Sequence, residues 1–254
     1  MSNEQKIFLR MSKSMAAEHV TGGHPDKICD QMADAILDAA IAQDPQARVA
    51  IEVTGGHGKV FVAGEMTAKA NIDIESIVLR TYHEIGHADD IDVAVKVAKQ
   101  SQDIADGVDT GGAGDQGIMV GYAVQKLVVD NYGPNVEIGG GAYSGKDPTK
   151  VDRSAAYMCR LVAKSIVASG IASKALVKVA YSIGIDRPSV LTVQTPFEPQ
   201  QEARLTEKIR REFDFRPRAI IDRLGLQHPD GWSYMETASF GHYGRRNFPW
   251  EHAV

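Results

Sequence analysis

The sequence predicts an α+β fold built from two similar α/β modules, each with a small mixed or antiparallel sheet and helices on one face. Three observations support this prediction. Alternating apolar segments typical of strands are interspersed with longer segments of helical periodicity. A glycine-rich motif with charged residues precedes the first long helix of each half of the chain. The predicted elements also follow nearly the same order in both halves, as expected of a repeated unit.

The first module begins with a long amphipathic helix. Ile28, Met32 and Ile36 recur at helical spacing, and Asp44-Pro45 ends the run. Two alternating segments follow, separated by the glycine-rich residues 55–58, and this pattern predicts a hairpin. The predicted elements are helix 25–43, strands 47–54 and 59–67, helix 73–86 and strand 91–98.

The second module shows the same alternation. Val177, Val179 and Tyr181 alternate with Lys178 and Ala180, which is typical of a strand with one face buried on helices. The predicted elements are a leading strand 126–130, helix 149–169, strands 174–183 and 188–195, and helices 200–213 and 217–224. We therefore divide the chain into a flexible N-terminal extension (1–15), an N-terminal module (16–124) and a C-terminal module (125–254).

Composition restricts the class of protein. The chain has 254 residues and a formal net charge of −5, which argues against a broad nucleic-acid surface. It contains no apolar run of membrane-spanning length, so no membrane partner is expected. Cys29 and Cys159 have no metal-binding or redox spacing and are expected to be buried thiols in a reducing compartment. These features predict a cytoplasmic enzyme.

The segment from Gly139 to Tyr157 is the most informative motif. Consecutive glycines allow backbone N–H groups to approach an anion, and the N-terminus of the following helix adds to the positive field of Lys146 and Lys150. Asp147 and Asp152 lie between and after these lysines, where they would repel a phosphate unless a divalent cation lay between them and its oxygens. The motif therefore predicts a metal–polyphosphate ligand.

This motif has two other interpretations. Residues 140–146 fit the P-loop pattern G-x-x-x-x-G-K, but Asp147 stands where a P-loop needs Ser or Thr to ligate Mg²⁺. Asp147 followed by Pro148 is more typical of a helix N-cap with proline at the first helical position. An ordinary capped helix is the second interpretation, and it leaves the surrounding charges without a role.

Further charged residues lie near glycines elsewhere in the chain. His24, Asp26 and Lys27 follow Gly22-Gly23 at the entrance to the first helix, where they are placed for anion or metal binding. Asp115 lies in the glycine-rich loop 111–117, which could hold its carboxylate in a cleft. Glu52 and Glu65 lie on the two hairpin strands and are most simply solvent-facing, unless a shared cleft makes them ligands.

Together, the motifs GGHPDK (22–27), GAGDQG (112–117) and GGGAYSGKDPTKVDRSAAY (139–157) closely resemble the signatures of the S-adenosylmethionine synthetase family, also called methionine adenosyltransferases. The resemblance covers nearly the whole chain after the first fifteen residues, including the ending ASFGHYG (238–244) and FPW (248–250). Family members have three modules in a pseudo-threefold arrangement. By this resemblance the middle module is missing here, because the sequence passes almost directly from Gly121-Tyr122-Ala123 to Lys126.

The resemblance implies a reaction and a set of site residues. ATP and L-methionine would be the substrates, Mg²⁺ and K⁺ the cofactors, and a homodimer or higher homo-oligomer with shared active sites the assembly. The implied residues are His24, Lys126, Lys146 and Lys150 as catalytic groups, Lys27, Glu65, Gln100, Asp115 and Ile183 as substrate-binding groups, Asp26 and Asp152 as Mg²⁺ ligands, and Glu52 near K⁺.

The departures from the family pattern leave two functions open. An Arg-Lys pair of the family is replaced by Gln125-Lys126, and the missing module would remove further triphosphate contacts and an adenine-stacking aromatic. Tyr132 and Tyr143 are candidates for that aromatic only by proximity to the glycines. The first function is a compact active synthetase with impaired triphosphate hydrolysis. The alternative is a non-catalytic or regulatory relative that binds nucleotide or pairs with a full-length synthetase subunit.

Overall fold

The computed structural model describes residues 20–100, 107–108, 110–124, 136 and 138–254. The extension 1–15 and the predicted strand 126–130 lie outside these residues. The elements, in chain order, are α1 (Pro25–Gln43), β1 (Arg48–Gly56), β2 (Lys59–Thr67), α2 (Ile74–Ile85), β3 (Asp92–Ala98), β4 (Gly117–Val124), α3 (Val151–Ala168), β5 (Lys174–Tyr181), β6 (Val190–Gln194), α4 (Pro199–Glu212), α5 (Pro217–Leu224), α6 (Tyr234–Phe240) and a 3₁₀ turn (Pro249–Glu251).

The first sheet has the strand order β1-β2-β3 and is mixed. β1 and β2 form an antiparallel hairpin, whereas β3 pairs parallel to β2 after α2 crosses over. The hairpin turns at His57 and Gly58, both with positive φ, as the predicted glycine-rich turn requires. Val49 and Ile51 are buried on the face that packs against α1. The predicted hairpin and first helix are confirmed.

The second sheet has the strand order β4-β5-β6 and is antiparallel throughout. The helix α3 packs on β4 and β5, and Gly121 permits this close contact because a Cβ there would lie 2.0 Å from the carbonyl carbon of Cys159. β4 lies before the predicted module boundary at 124/125 but pairs with the second sheet. A boundary ahead of Gly117 fits this pairing better, and the module boundaries themselves stay a prediction.

One short segment joins the two modules through the backbone. Residues 145–147 run along the free edge of β1, where Ile51 N–H donates to Gly145 C=O and Asp147 N–H donates to Val49 C=O. Lys146 thereby lies directly opposite Ala50. The site of Gly145 admits no side chain, since its φ is +76° and a Cβ would lie 1.9 Å from the carbonyl oxygen of Ile51.

The predicted N-cap at Asp147 is wrong. The helix α3 begins at Val151 with Lys150 as its N-cap, one turn later than Asp147-Pro148. The Asp147 carboxylate instead accepts hydrogen bonds from the N–H groups of Val49 and Thr149, so it fixes the turn before the helix and the β1 edge together. A tertiary contact replaces the local cap that the dipeptide predicts.

A buried ion pair joins α1 to α3. Asp34 and Arg153 are both fully buried and form two hydrogen bonds, 2.7 Å from Nη1 to Oδ1 and 2.6 Å from Nη2 to Oδ2. Asp34 also accepts the N–H of Gly145, and Arg153 donates to the C=O of Lys146. The pair therefore supports the backbone of the segment that joins the modules.

The C-terminal helix α6 returns to the first module. The helix α6 packs on α1, and Asp38 of α1 accepts the N–H groups of Tyr234 and Met235 at its start. None of the helices in the described part of the chain is long and apolar enough to cross a membrane.

Candidate active site

The candidate site lies on the outer face of the first sheet, which we define as the face carrying Ala50, Glu65 and Ala98. These three residues are in register across the three strands, and Lys146 stands opposite Ala50 at the edge. Directly paired residues present their side chains to the same face of a sheet. Glu65 and Lys146, predicted from distant motifs, thus share one surface.

Two carboxylates surround Lys146. Its Nζ donates to Asp152 Oδ2 at 2.6 Å and lies 3.4 Å from Asp115 Oδ2. Burial acts to lower the pKa of Lys146, but the hydrogen bond and charge of Asp152, together with Asp115, raise it above its ordinary value. Lys146 is therefore a charged ammonium group that two carboxylates hold in place.

The pKa of the Asp152 carboxyl group is shifted by opposing effects. Burial raises its pKa above the ordinary value, the hydrogen bond and charge of Lys146 oppose that rise, and the neighbouring Asp115 adds to it. A cation beside Asp152 would stabilise its charged form. The Asp115–Lys146–Asp152 cluster thus places one ammonium group between two carboxylates, of which Asp152 is suited to a metal ion.

Glycines make room for Asp152. A Cβ on Gly141 would lie 2.2 Å from Asp152 Oδ1, and one on Gly117 would lie 2.9 Å from the same atom. The carboxylate thus lies between the glycine-rich segment 139–141 and the start of β4. The close approach of the backbone, rather than an unusual backbone conformation, explains the glycine at 141.

We expect Gly141→Ala to reduce turnover about tenfold or more, because the new methyl group must displace Asp152 and small displacements in a site cost that much. Gly140→Ala is the matched control, since a Cβ there meets nothing within 4 Å and neither glycine has positive φ. The steady-state turnover of Gly141→Ala is compared with that of Gly140→Ala and of the wild type. Equal activity of the two would contradict a role for the position of Asp152.

The loop 111–117 is held between two parts of the second module. Gly114 N–H donates to Thr149 C=O, Ala113 N–H donates to Ile185 C=O, and Gly184 N–H donates to Ala113 C=O. These bonds orient Asp115 towards Lys146 and place Ile183, 46% exposed, next to the loop. The loop thus brings Asp115 to the cluster and pairs with Ile183, which lies far away in the sequence.

The N-terminus of α1 carries the histidine motif as predicted. His24 is the N-cap, and its Nδ1 accepts the N–H of Asp26 at 3.3 Å. The Asp26 carboxylate is exposed, whereas the Lys27 ammonium is mostly buried and lies 4.0 Å from Asp30 Oδ2. The helix terminus is confirmed, and the roles of His24, Asp26 and Lys27 stay predictions.

Lys150 does not join the cluster. Its side chain is buried, and its Nζ donates to Asp147 Oδ2 at 2.5 Å. Burial acts to raise the pKa of Asp147, but the charge and hydrogen bond of Lys150 and the bonds from Thr149 and Val49 lower it below its ordinary value. Lys150 thus neutralises the carboxylate that fixes the turn, which sequence reasoning did not predict.

The other predicted residues differ in their surroundings. Gln100 is buried, and its side-chain oxygen Oε1 has no hydrogen-bond partner among the described residues, which leaves an acceptor for a ligand donor. Glu52 is exposed on the outer face, opposite Ala63. Lys126 and Tyr132 lie outside the described residues.

A cavity of about 230 Å³ adjoins the cluster. Asp152 and Gly141 line it together with Asp30, Tyr143 and His242, two of which sequence reasoning missed. Burial lowers the pKa of His242 well below its ordinary value, so the ring is neutral and its Nδ1 bonds the hydroxyl of Tyr157. The position of Asp30, one helical turn after Asp26, was the available sequence signal.

Tyr143 lines this cavity but is already engaged. Its hydroxyl lies 2.9 Å from that of Tyr243, and its ring packs edge-on against His242 at a centroid distance of 4.7 Å. It is therefore part of an aromatic cluster rather than a free stacking platform.

The residues fit a metal ion only if a ligand shares in holding it. Within the described residues there is no group of three or more His, Cys, Asp or Glu side chains that could hold a metal. The Asp152 carboxylate suits a hard cation such as Mg²⁺, which keeps one or two protein carboxylates and takes its other oxygens from water and phosphate.

Two family models match the chain, and together they span most of it. The model described as "S-adenosylmethionine synthetase, N-terminal domain" matches residues 12–106, and that described as "S-adenosylmethionine synthetase, C-terminal domain" matches residues 110–252.

Individual S-adenosylmethionine synthases are also similar to this chain in sequence. The S-adenosylmethionine synthase of Thermosynechococcus vestitus is 33% identical over 395 aligned positions, covering 93% of this chain and 94% of the relative. That of Thermus thermophilus is 33% identical over 384 positions, covering 96% of each. Both alignments are longer than the 254 residues of this chain, so the relatives carry residues without a counterpart here.

A solved structure shares the fold. The structure described as an unusual S-adenosylmethionine synthetase from Campylobacter jejuni superposes with a TM-score of 0.84 at 23% identity, covering 93% of this chain and 96% of the other.

Proposed function

Because the chain belongs to the S-adenosylmethionine synthetase family, we propose that it transfers the adenosyl group of ATP to the sulfur of L-methionine. The observation that carries this proposal is the Asp115–Lys146–Asp152 cluster, which joins the family's motifs at one surface. In the reaction the sulfur lone pair forms a bond to C5′ of ATP, the C5′–O bond breaks, and triphosphate leaves with the bonding electrons. The products are S-adenosylmethionine and triphosphate.

No general base is needed, because a thioether sulfur carries a free lone pair and no proton. The protein must align the two substrates and stabilise the negative charge that grows on the triphosphate. Lys146 is suited to this task because it is charged, partly buried and held at the edge of the cluster. His24 would contact the leaving oxygen, and Lys126 and Lys150 would neutralise the phosphates.

The substrate contacts follow from the same surface. Asp115 would bind the methionine ammonium group, and Gln100 would use its free side-chain oxygen. Lys27, Glu65 and Ile183 complete the substrate-binding set. Lys150 can take part only if its ammonium turns away from Asp147.

Mg²⁺ and K⁺ are proposed cofactors. Asp26 and Asp152 would hold Mg²⁺ bound to the polyphosphate, and Glu52 would lie near K⁺. When bound, Mg²⁺ offsets part of the charge on the phosphates. The assembly is proposed to be a homodimer or higher homo-oligomer with shared sites, since the outer face is open and exposes Phe61, 44% accessible. The cytoplasmic location rests on the sequence.

We expect the purified protein, given ATP, methionine, Mg²⁺ and K⁺, to form S-adenosylmethionine. Excess chelator should abolish formation, because the carboxylates of the cluster suit a cation held with phosphate. Chromatography of the nucleoside products measures the result. Activity that persists in chelator would contradict the metal assignment. Absence of product under all conditions would favour the alternative, a relative that binds nucleotide or pairs with a full-length synthetase; the named relatives do not favour it.

We further propose that triphosphate hydrolysis is impaired more than synthesis. Hydrolysis requires water in line with a terminal phosphoryl group and charge stabilisation there, a task suited to a guanidinium, and the family's arginine is replaced by Gln125. Triphosphate should therefore accumulate during turnover, as anion-exchange separation of the phosphates would detect. Stoichiometric pyrophosphate and phosphate from the first turnover would contradict this prediction.

A further inference from the structure

A second charged groove lies outside the candidate site. It has a volume of about 400 Å³ and shares no lining residue with the cavity beside Asp152. Four arginines from the β5–β6 loop, the end of α4 and the turn before α5 line it, with apolar residues behind them. The lining residues are Arg187, Pro188, Leu191, Arg210, Arg211, Phe213, Asp214, Phe215 and Arg216.

Two of the four guanidinium groups are already neutralised. Arg216 forms a two-pronged ion pair with Asp214, with Nε 3.0 Å from Oδ1 and Nη2 2.5 Å from Oδ2. The hydrogen bond from Arg216 lowers the pKa of Asp214, so this carboxylate is charged and already paired with Arg216. Arg210 pairs with Glu207 at 3.4 Å on the solvent side of α4.

Neither Arg187 nor Arg211 forms a hydrogen bond or a close ion pair among the described residues, although the charge of Arg187 also helps to lower the pKa of Asp214. They come from different elements and flank one groove. In a chain with a net charge of −5, the lining residues include four arginines and one carboxylate, and Glu207 pairs with one of these arginines from outside the groove, so positive charge is in local excess. Guanidinium groups bind phosphate oxygens in pairs of parallel hydrogen bonds, which makes such a groove selective for phosphate-type anions.

The support for the groove is rigid. Phe213 and Phe215 are buried, and the hydroxyl of Tyr181 donates to the C=O of Phe215 at 2.5 Å. Arg223 stacks on the ring of Phe213 from α5 at 5.0 Å. The backbone that carries the arginines is therefore fixed, so a ligand would have to order only the exposed side chains.

We propose that this groove binds an anion with two linked phosphoryl groups, at a site separate from the candidate active site. Arg187 and Arg211 bind the phosphoryl oxygens from the two sides, and the volume accommodates more than one phosphate. Such an anion is either free pyrophosphate or the diphosphate part of a nucleotide. The two share this chemistry, and the arms of the experiment distinguish them.

The test is calorimetric titration of the full chain with inorganic pyrophosphate, and separately with ADP. Wild-type protein should show a binding event that Arg187→Gln/Arg211→Gln weakens at least tenfold. Arg204→Gln, which removes a charge from the same helix without lining the groove, should change the affinity less than twofold. A tighter event with ADP than with pyrophosphate identifies a nucleotide, and the reverse order identifies the free anion.

Lys146→Ala separates this proposal from the proposed function, since it alters the candidate active site and leaves the groove intact. The groove event should persist in Lys146→Ala and be lost in the double arginine variant. Equal melting temperatures of wild type and double variant would show that the fold is kept, as expected for exposed side chains without partners. If the double variant binds both anions like wild type, or if only Lys146→Ala removes binding, the proposal is wrong.

Discussion

Replacing Lys146 with alanine is expected to lower the rate of S-adenosylmethionine formation by roughly two to four orders of magnitude, the scale of removing a principal electrostatic stabiliser. Its ammonium contacts both Asp152 and Asp115, and the described part of the chain shows no other ion pair with either carboxylate. The variant leaves two carboxylates facing the leaving group, so repulsion adds to the loss of attraction.

Initial rates with saturating ATP and methionine measure this effect. Lys59→Ala is the matched control, because Lys59 lies on β2 of the same sheet and its ion pair with Asp92 is solvent-exposed. That variant should keep turnover within about twofold of wild type, as is usual for exposed pairs. Near-normal turnover of Lys146→Ala would show that the glycine-rich segment only builds the fold.

The second large effect concerns the ion pair between α1 and α3. Arg153→Met and Asp34→Ala should each lower the free energy of unfolding by about 3–5 kcal/mol, because each leaves the opposite charge buried without its partner. Burial already raises the pKa of Asp34, and the charge of Arg153 opposes that rise. The double variant should lose less than the sum of the single losses, since it leaves no unpaired charge.

Urea unfolding at one fixed protein concentration tests this, because assembly would otherwise change the apparent stability. Arg80→Ala serves as the control, as the Arg80–Glu84 pair is exposed with a distance of 3.8 Å. Its loss should cost under about 1 kcal/mol. Single variants of Asp34 and Arg153 that unfold within this range would mean that water reaches the pair.

Local patterns were sufficient for most helices and strands. The helix 25–43 and the hairpin were predictable because periodicity and turn glycines act over a few residues. β4 was not predicted, because Gly117 and Gly121 weaken its strand pattern. Both glycines are explained by tertiary contacts. Gly117 lies against Asp152, and Gly121 lies against the α3 backbone at Cys159.

Some residues of the candidate site could be predicted from local motifs, and others depend on tertiary packing. Lys146, Asp152 and Asp115 could be selected from their motifs, since glycines and charges at a helix entrance are local signals. The Asp34–Arg153 pair could not, because its members are 119 residues apart and only the packing of α1 on the second module makes them partners. The ion pair of Lys150 with Asp147 likewise depends on a tertiary contact, because Val49 of the β1 edge donates its N–H to the same carboxylate.

The pairing of residues 145–147 with β1 also bears on how this family can change in length. The backbone bonds of residues 145–147 to β1 and the Asp34–Arg153 ion pair come from residues before 101 and after 138. Insertions and deletions are tolerated where few packed contacts are broken. Residues 145–147 could therefore keep their pairing with β1 while the chain between the two modules changed in length.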